Sequence, residues 1–287
     1  MSAATVEIIV LVFVFLFGAS IGSFLNVVIF RLPEGKSLVR PPSHCPACGH
    51  GIRWYDNIPI LSYVLLGGKC RSCRASISLQ YPMIELLTAA LAIACYQRFG
   101  LDASLPLYFA FCAALVAITF IDIPRQIIPD EISLPGVAVG VAASFVAGEV
   151  RWTDSVIGAA VGFALIALIA YGYYFLTHRE GMGMGDAKLL AMIAAFLGWQ
   201  SIPFVLFAAS VQGLALALFA IGMGWMKKAP PLPDPREAAA PPGEAGDVPL
   251  RQAAVPFGPF LSLAALEWLF FGPWLMSHLF LGGYAAL

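Results

Sequence analysis

Charge is scarce in this chain. Asp, Glu, Lys and Arg together make up 11% of its 287 residues, where soluble domains carry roughly 25%. With 60% hydrophobic residues and a mean hydropathy of +0.84, that deficit excludes an ordinary soluble globular domain. The first apolar run lacks the basic start and the small-residue cleavage site of a secretory signal, so it is expected to stay as a membrane helix. No segment offers the strand, turn, helix and acidic partner of a dinucleotide fold, so Gly181-Met182-Gly183-Met184-Gly185 is not read as a nucleotide loop. A net charge of -1 gives no sign of a nucleic-acid partner, and none is expected. No internal repeat is visible.

Apolar runs fill the space that charge leaves. Eight can be read, near residues 6–30, 82–96, 105–121, 132–147, 156–176, 187–199, 202–225 and 255–281. Segments of this length recurring along a chain indicate an all-α polytopic membrane protein with about eight transmembrane helices. The sixth is short and its junction with the seventh is tight, so a seven-span count competes. With eight spans the connections alternate between two sides. One set (residues 31–81, 122–131, 178–188 and 226–254) holds 14 of the 16 Lys and Arg residues, leaving only Arg98 and Arg151 for the other. The positive-inside rule places the rich set in the cytoplasm and both termini outside. Residues 229–247, rich in Pro and Ala, read as a flexible cytoplasmic loop.

The loop at residues 31–81 carries Cys45-Pro46-Ala47-Cys48 and Cys70-Arg71-Ser72-Cys73, two knuckles separated by 21 residues. Four thiolates spaced this way suit a tetrahedral, structural Zn²⁺ in a zinc-ribbon-like loop. A reducing cytoplasm disfavours the alternative of two disulfides. His44 and His50 read as surface neighbours, and Cys95 and Cys112, inside apolar runs, as buried small hydrophobes.

Acids inside apolar segments are costly and mark chemistry or ion passage. Asp122 ends the third run and Asp186 opens the sixth, and the topology puts both at the cytoplasmic edge. There they can form an aspartyl dyad in which one carboxyl holds a proton and the other activates water. Gly183 and Gly185 permit unusual backbone angles and close approach of another chain. Lys188 fixes orientation or meets lipid phosphate. Asp130 reads as an N-cap for the fourth helix. Glu85, within the second run, needs a partner, either a substrate amine or an interior Arg. Asn26 reads as interhelical glue or as part of a methyl-transfer site.

Five ordered blocks resemble the type IV prepilin peptidases. These are Gly22-Ser23-Phe24-Leu25-Asn26 through Arg31-Leu32-Pro33, then Tyr81-Pro82-Met83-Ile84-Glu85, then Phe120-Ile121-Asp122 to Ile128-Pro129-Asp130. The Gly181 to Leu189 block and Pro256-Phe257-Gly258-Pro259-Phe260 complete the set. The resemblance implies a membrane aspartic endopeptidase of the bacterial inner membrane that removes the leader of prepilins or pseudopilins, with Asp122 and Asp186 catalytic and Cys45, Cys48, Cys70 and Cys73 as the cysteine motif. It further implies N-methylation of the new N-terminus with S-adenosylmethionine. The implied organisation is a first helix (1–30), a cysteine-bearing loop (31–81) and a transmembrane peptidase domain (82–287). A general intramembrane aspartyl protease and an ion or proton transporter are the competing readings. A transporter should show paired broken helices in related halves, and no such symmetry is visible.

Overall fold

A chain crossing hydrocarbon must satisfy its own backbone, which leaves helices for runs this apolar. In the computed structural model, residues 2–177, 183–223 and 256–279 are described, and all eight apolar runs contribute helices. The helices are α1 (Ala3–Arg31), α2 (Leu61–Leu65), α3 (Gln80–Phe99), α4 (Ser104–Arg125), α5 (Asp130–Val146), α6 (Trp152–Thr177), α7 (Met184–Leu197), α8 (Ser201–Gly222) and α9 (Gly258–Leu279). The loop expected at 229–247 and the residues Gly181 and Met182 lie outside the described residues. Among the described residues there is no extended strand, only two isolated bridges.

Four helices, α1 with its following turn, α4, α6 and α8, are long and apolar enough to cross a membrane. The other four large helices fall short for different reasons. α3 carries Gln80, Glu85, Gln97 and Arg98, while α5 and α7 have only 17 and 14 residues. In α9 the apolar stretch is Gly258–Gly272.

Two seams organise the bundle. α1 lies along α3, with Gly18 and Gly22 facing Ala89, Ala92 and the Glu85 backbone. A Cβ on Gly22 would fall 2.6 Å from the Glu85 Cα, so only glycine allows this approach. The second seam surrounds α7, whose residues Leu189 to Leu197 are all buried, as expected of a helix apolar on every side. α5, α6 and α9 pack on it, and Gly158 and Gly162 of α6 lie against the carbonyls of Ala194 and Leu190. The C-terminal carbonyls of α7, which have no helical partner, accept from neighbours: Ser155 donates to Ala195 at 2.6 Å and Tyr108 to Phe196 at 3.1 Å.

The loop between α1 and α3 is built around the knuckles. Each has the same hydrogen-bonded form, with bridges His44 to Gly51 and Lys69 to Ser76, and a left-handed residue, Gly49 or Arg74, just after its second cysteine. The structure thus holds an eight-residue repeat that the sequence conceals, because only the cysteines recur.

Candidate active site

Asp122 lies in the last turn of α4 and Asp186 in the first turn of α7. α4 stops there because Gln126 turns left-handed at φ 54° and donates its N–H to the Asp122 carbonyl at 2.8 Å. Pro124 sits inside that last turn. The next helix to arrive is α9, and the Gly258 N–H donates to the Asp122 carboxylate. Ile128, in the connector between α4 and α5, touches both ends of this arrangement. A Cβ on Gly185 would lie 3.0 Å from the Ile128 Cβ, and one on Gly258 would lie 3.3 Å from its Cδ1. Gly185 precedes Asp186, so this one isoleucine packs beside both acids. The charge on Asp122 acts on Asp186. Asp122 is buried and Asp186 half-buried, so the fold brings two carboxyls from separate helix ends to one sheltered place. Such a pair can share a proton and polarise a water between them.

The sequence-predicted residues fall into two groups. Gly183 is the N-cap of α7, and Gly185, Asp186 and Lys188 share its opening turns. The Lys188 ammonium pairs with both Asp130 oxygens, at 2.6 and 2.7 Å. One expectation is corrected. Asp130 is not the N-cap, since Pro129 holds that position and Asp130 is already helical. Lys188 has a carboxylate partner because α5 and α7 pack side by side and bring the charges together.

Glu85 and Asn26 form a separate group at the α1–α3 seam. Glu85 is buried and has no Arg partner among the described residues. Its Oε2 accepts the Ile60 N–H at 2.7 Å, and Ser23 also bonds it. Of the two partners expected for it, a substrate amine or an interior Arg, no Arg is found there among the described residues, and the loop backbone and Ser23 bond it. Asn26 donates to the Gly22 carbonyl at 3.3 Å and the Tyr81 carbonyl at 3.2 Å, which is the interhelical glue expected of it. Its Oδ1 is buried without a partner among the described residues.

The four sulfurs of Cys45, Cys48, Cys70 and Cys73 lie within 4.8 Å of one another, with Cys45 and Cys73 at 3.8 Å, and none is in a disulfide. Zn–S bonds of about 2.3 Å in a tetrahedron set sulfurs about 3.8 Å apart, so the donor set fits a closed zinc site. N–H groups of Cys73 and Ser72 hold the Cys70 thiol down to about 7. Against the Ala75 N–H, which lowers it, desolvation and the neighbouring sulfurs push Cys73 up to about 11. Crowded thiols of this kind ionise together only around a cation. His44 and His50 are exposed and outside the cluster, while Cys95 and Cys112 are buried with sulfurs 3.8 Å apart.

Residues 16–99 match the bacterial peptidase A24 N-terminal domain, and residues 109–218 match the type IV leader peptidase family. The chain belongs to the type IV leader peptidase family. A Myxococcus xanthus protein named prepilin leader peptidase/N-methyltransferase is 39% identical over an alignment covering 92% of this chain and 91% of its own length. Relatives of the same name from Aeromonas salmonicida and Burkholderia pseudomallei are 37% and 35% identical, over 89% and 95% of this chain and 89% and 88% of their own lengths. No solved structure matches. The N-terminal match covers the second half of α1, the cysteine loop and α3, and the leader-peptidase match covers both acids. Sequence reasoning did not assign Gly258, Ile128 or Ser23 to a site. The two prolines around Gly258 marked a fixed backbone there and were the available signal.

Proposed function

We propose that this chain removes the short leader of type IV prepilins or pseudopilins after a glycine, at the cytoplasmic face of the bacterial inner membrane, and then methylates the new N-terminal residue, usually Phe. Family membership gives the enzyme class, a prepilin peptidase with N-methyltransferase activity. The observation that carries the aspartic mechanism is the meeting of Asp122 and Asp186, with Gly258 closing over the first.

Cleavage proceeds with one carboxyl neutral and the other ionised. The ionised group takes a proton as the water oxygen bonds to the scissile carbonyl carbon, and the neutral group gives its proton to the carbonyl oxygen. Collapse breaks the C–N bond: the first acid protonates the departing amine, and the second carboxylate recovers its proton from a hydroxyl. Both groups return to their starting states. The Gly258 N–H holds one Asp122 oxygen in place throughout, and Gly183 and Gly185 leave room for substrate backbone.

The same reading takes eight spans, both termini outside, a first helix at 1–30, the loop at 31–81 and a peptidase domain at 82–287. The distribution of Lys and Arg supports that orientation. Cys45, Cys48, Cys70 and Cys73 hold zinc and rigidify the loop. S-adenosylmethionine, when bound, supplies a methyl group from its sulfonium. Glu85 and the unpartnered Asn26 Oδ1 offer acceptors at the α1–α3–loop junction that fit a cationic donor or the substrate's new amine.

Intact-mass analysis of a prepilin incubated with the enzyme tests both activities. The expected product has lost its leader and gained one methyl group. The residue before the cut should tolerate only the smallest side chains; a bulky residue cleaved as readily as glycine would defeat the narrow-site reading, and unrelated membrane helices cleaved equally well would favour a general intramembrane protease.

A further inference from the structure

The loop between α1 and α3 carries apolar side chains that nothing in the described fold covers. In α2, Leu61, Val64 and Leu65 are 49%, 67% and 75% exposed, while the polar Ser62 is the buried residue. A helix with its leucines out and its serine in is inverted for water.

Two fixed points give its depth. The N–H of Ile60, immediately before α2, donates to Glu85. Glu85 in turn lies against Gly22 of α1. Gly22 is nine residues before Arg31, the first cation of α1, and so about 13 Å below it along the helix. α1 has 29 residues, a length of about 43 Å, which matches a whole bilayer with its headgroups. Arg31 then sits at the outer edge of the headgroups, and because the headgroups take up only about 5–8 Å on each side, Glu85 sits several ångströms inside the acyl region. α2 is about 7 Å long. Even with the reach of the Glu85 side chain, it cannot climb from there into bulk water. Ile60 is held at φ 62° and ψ -51°, a tight γ-turn geometry that a β-branched residue keeps only where contacts impose it. The chain is pinned at this depth. The bundle is open at this level, since Met83 and Leu86, on either side of Glu85 in α3, are exposed apolar side chains.

We propose that α2 is a membrane-interface anchor. Leu61, Val64 and Leu65 insert among the upper acyl chains of the cytoplasmic leaflet, and the exposed cations Lys69 and Arg74 that follow meet lipid phosphate, while Arg71 is paired with Asp56. Lipid thus seats the cysteine module at a fixed height. The inference rests on the proposed orientation of α1, with Arg31 at the cytoplasmic face, and not on the peptidase chemistry.

The test is hydroxyl-radical footprinting of the intact, metal-loaded protein in nanodiscs of phosphatidylcholine and phosphatidylglycerol, without substrate. Leu61, Val64 and Leu65 should oxidise as slowly as Leu86, while Val39, 81% exposed in the same loop, should oxidise fast. Oxidation of α2 at the Val39 rate overturns the proposal. Protection that appears only when prepilin is added also overturns it, by giving the face to substrate. A second measurement places Leu65→Trp in a background whose native tryptophans are phenylalanine. Quenching by lipids brominated near the top of the acyl chain supports the anchor, and quenching by aqueous iodide instead refutes it. Neither readout uses activity, so a failed peptidase assay leaves this test intact.

Discussion

Gly258 and Asp122 are in direct contact: the glycine N–H donates to the carboxylate, and a Cβ at 258 would fall 2.5 Å from its Oδ2. Carbon and oxygen cannot approach so closely, so any side chain there must displace the carboxyl group. Gly258→Ala should therefore leave the bundle folded and cut turnover by about 100-fold, the scale of loss for an ångström of misplacement. Steady-state cleavage of a prepilin, with thermal unfolding alongside, checks this. Near-normal turnover would show that Asp122 does not need its present position.

The two acids should behave as one unit. Asp122→Asn and Asp186→Asn are each expected to abolish cleavage with the protein still inserted, and the double variant should be scarcely worse than either single one. Substantial turnover by either single variant would remove the dyad from the mechanism.

Purified protein should carry close to one zinc per chain, and Cys45→Ser or Cys73→Ser should lower that content. Metal affinity should fall with acidification, because protons compete for Cys73 already below about 11 and for Cys70 as well below about 7, where the loss should steepen. Metal analysis across pH is the measurement. Removing zinc should loosen the loop and impair methylation more than cleavage, since hydrolysis as proposed uses only the acids and water.

The α1–α3 seam has no room for a side chain at Gly22. Gly22→Val would drive its Cβ into the Glu85 backbone, and overpacking of this kind costs about 1–3 kcal/mol or more. A lowered unfolding temperature in detergent is expected. An unchanged one would mean that the helices separate at no cost.

Lys188 and Asp130 give the contrasting case. Their side chains are 24% and 52% exposed, and pairs open to solvent contribute about 0–1 kcal/mol. Lys188→Gln should leave the unfolding temperature nearly unchanged; a large drop would show that this pair is sheltered from water.

Composition and local pattern determined much of this protein. Scarce charge and long apolar runs are enough to require helices, because hydrocarbon leaves no other partner for the backbone. The spacing of Cys45 with Cys48 and of Cys70 with Cys73 is enough to bring the sulfurs together in pairs, since each knuckle is a local turn, and the fold of the loop joined the two pairs. Asp122 and Asp186 stood out because an acid beside an apolar run is costly wherever the helices go. Tertiary structure alone decided the rest. Asp130 had the look of a cap, but Pro129 holds that position, and α7 brought Lys188 beside Asp130 instead. Glu85 had the look of an ion-pair partner until the loop presented the Ile60 N–H instead. Gly258 entered the site across 136 residues of chain from Asp122, a separation at which no periodicity carries information. Helix formation and knuckle geometry are local, and so are written in neighbouring residues. The partner of a buried polar group is chosen by which helices pack together, and that depends on shape complementarity along whole seams.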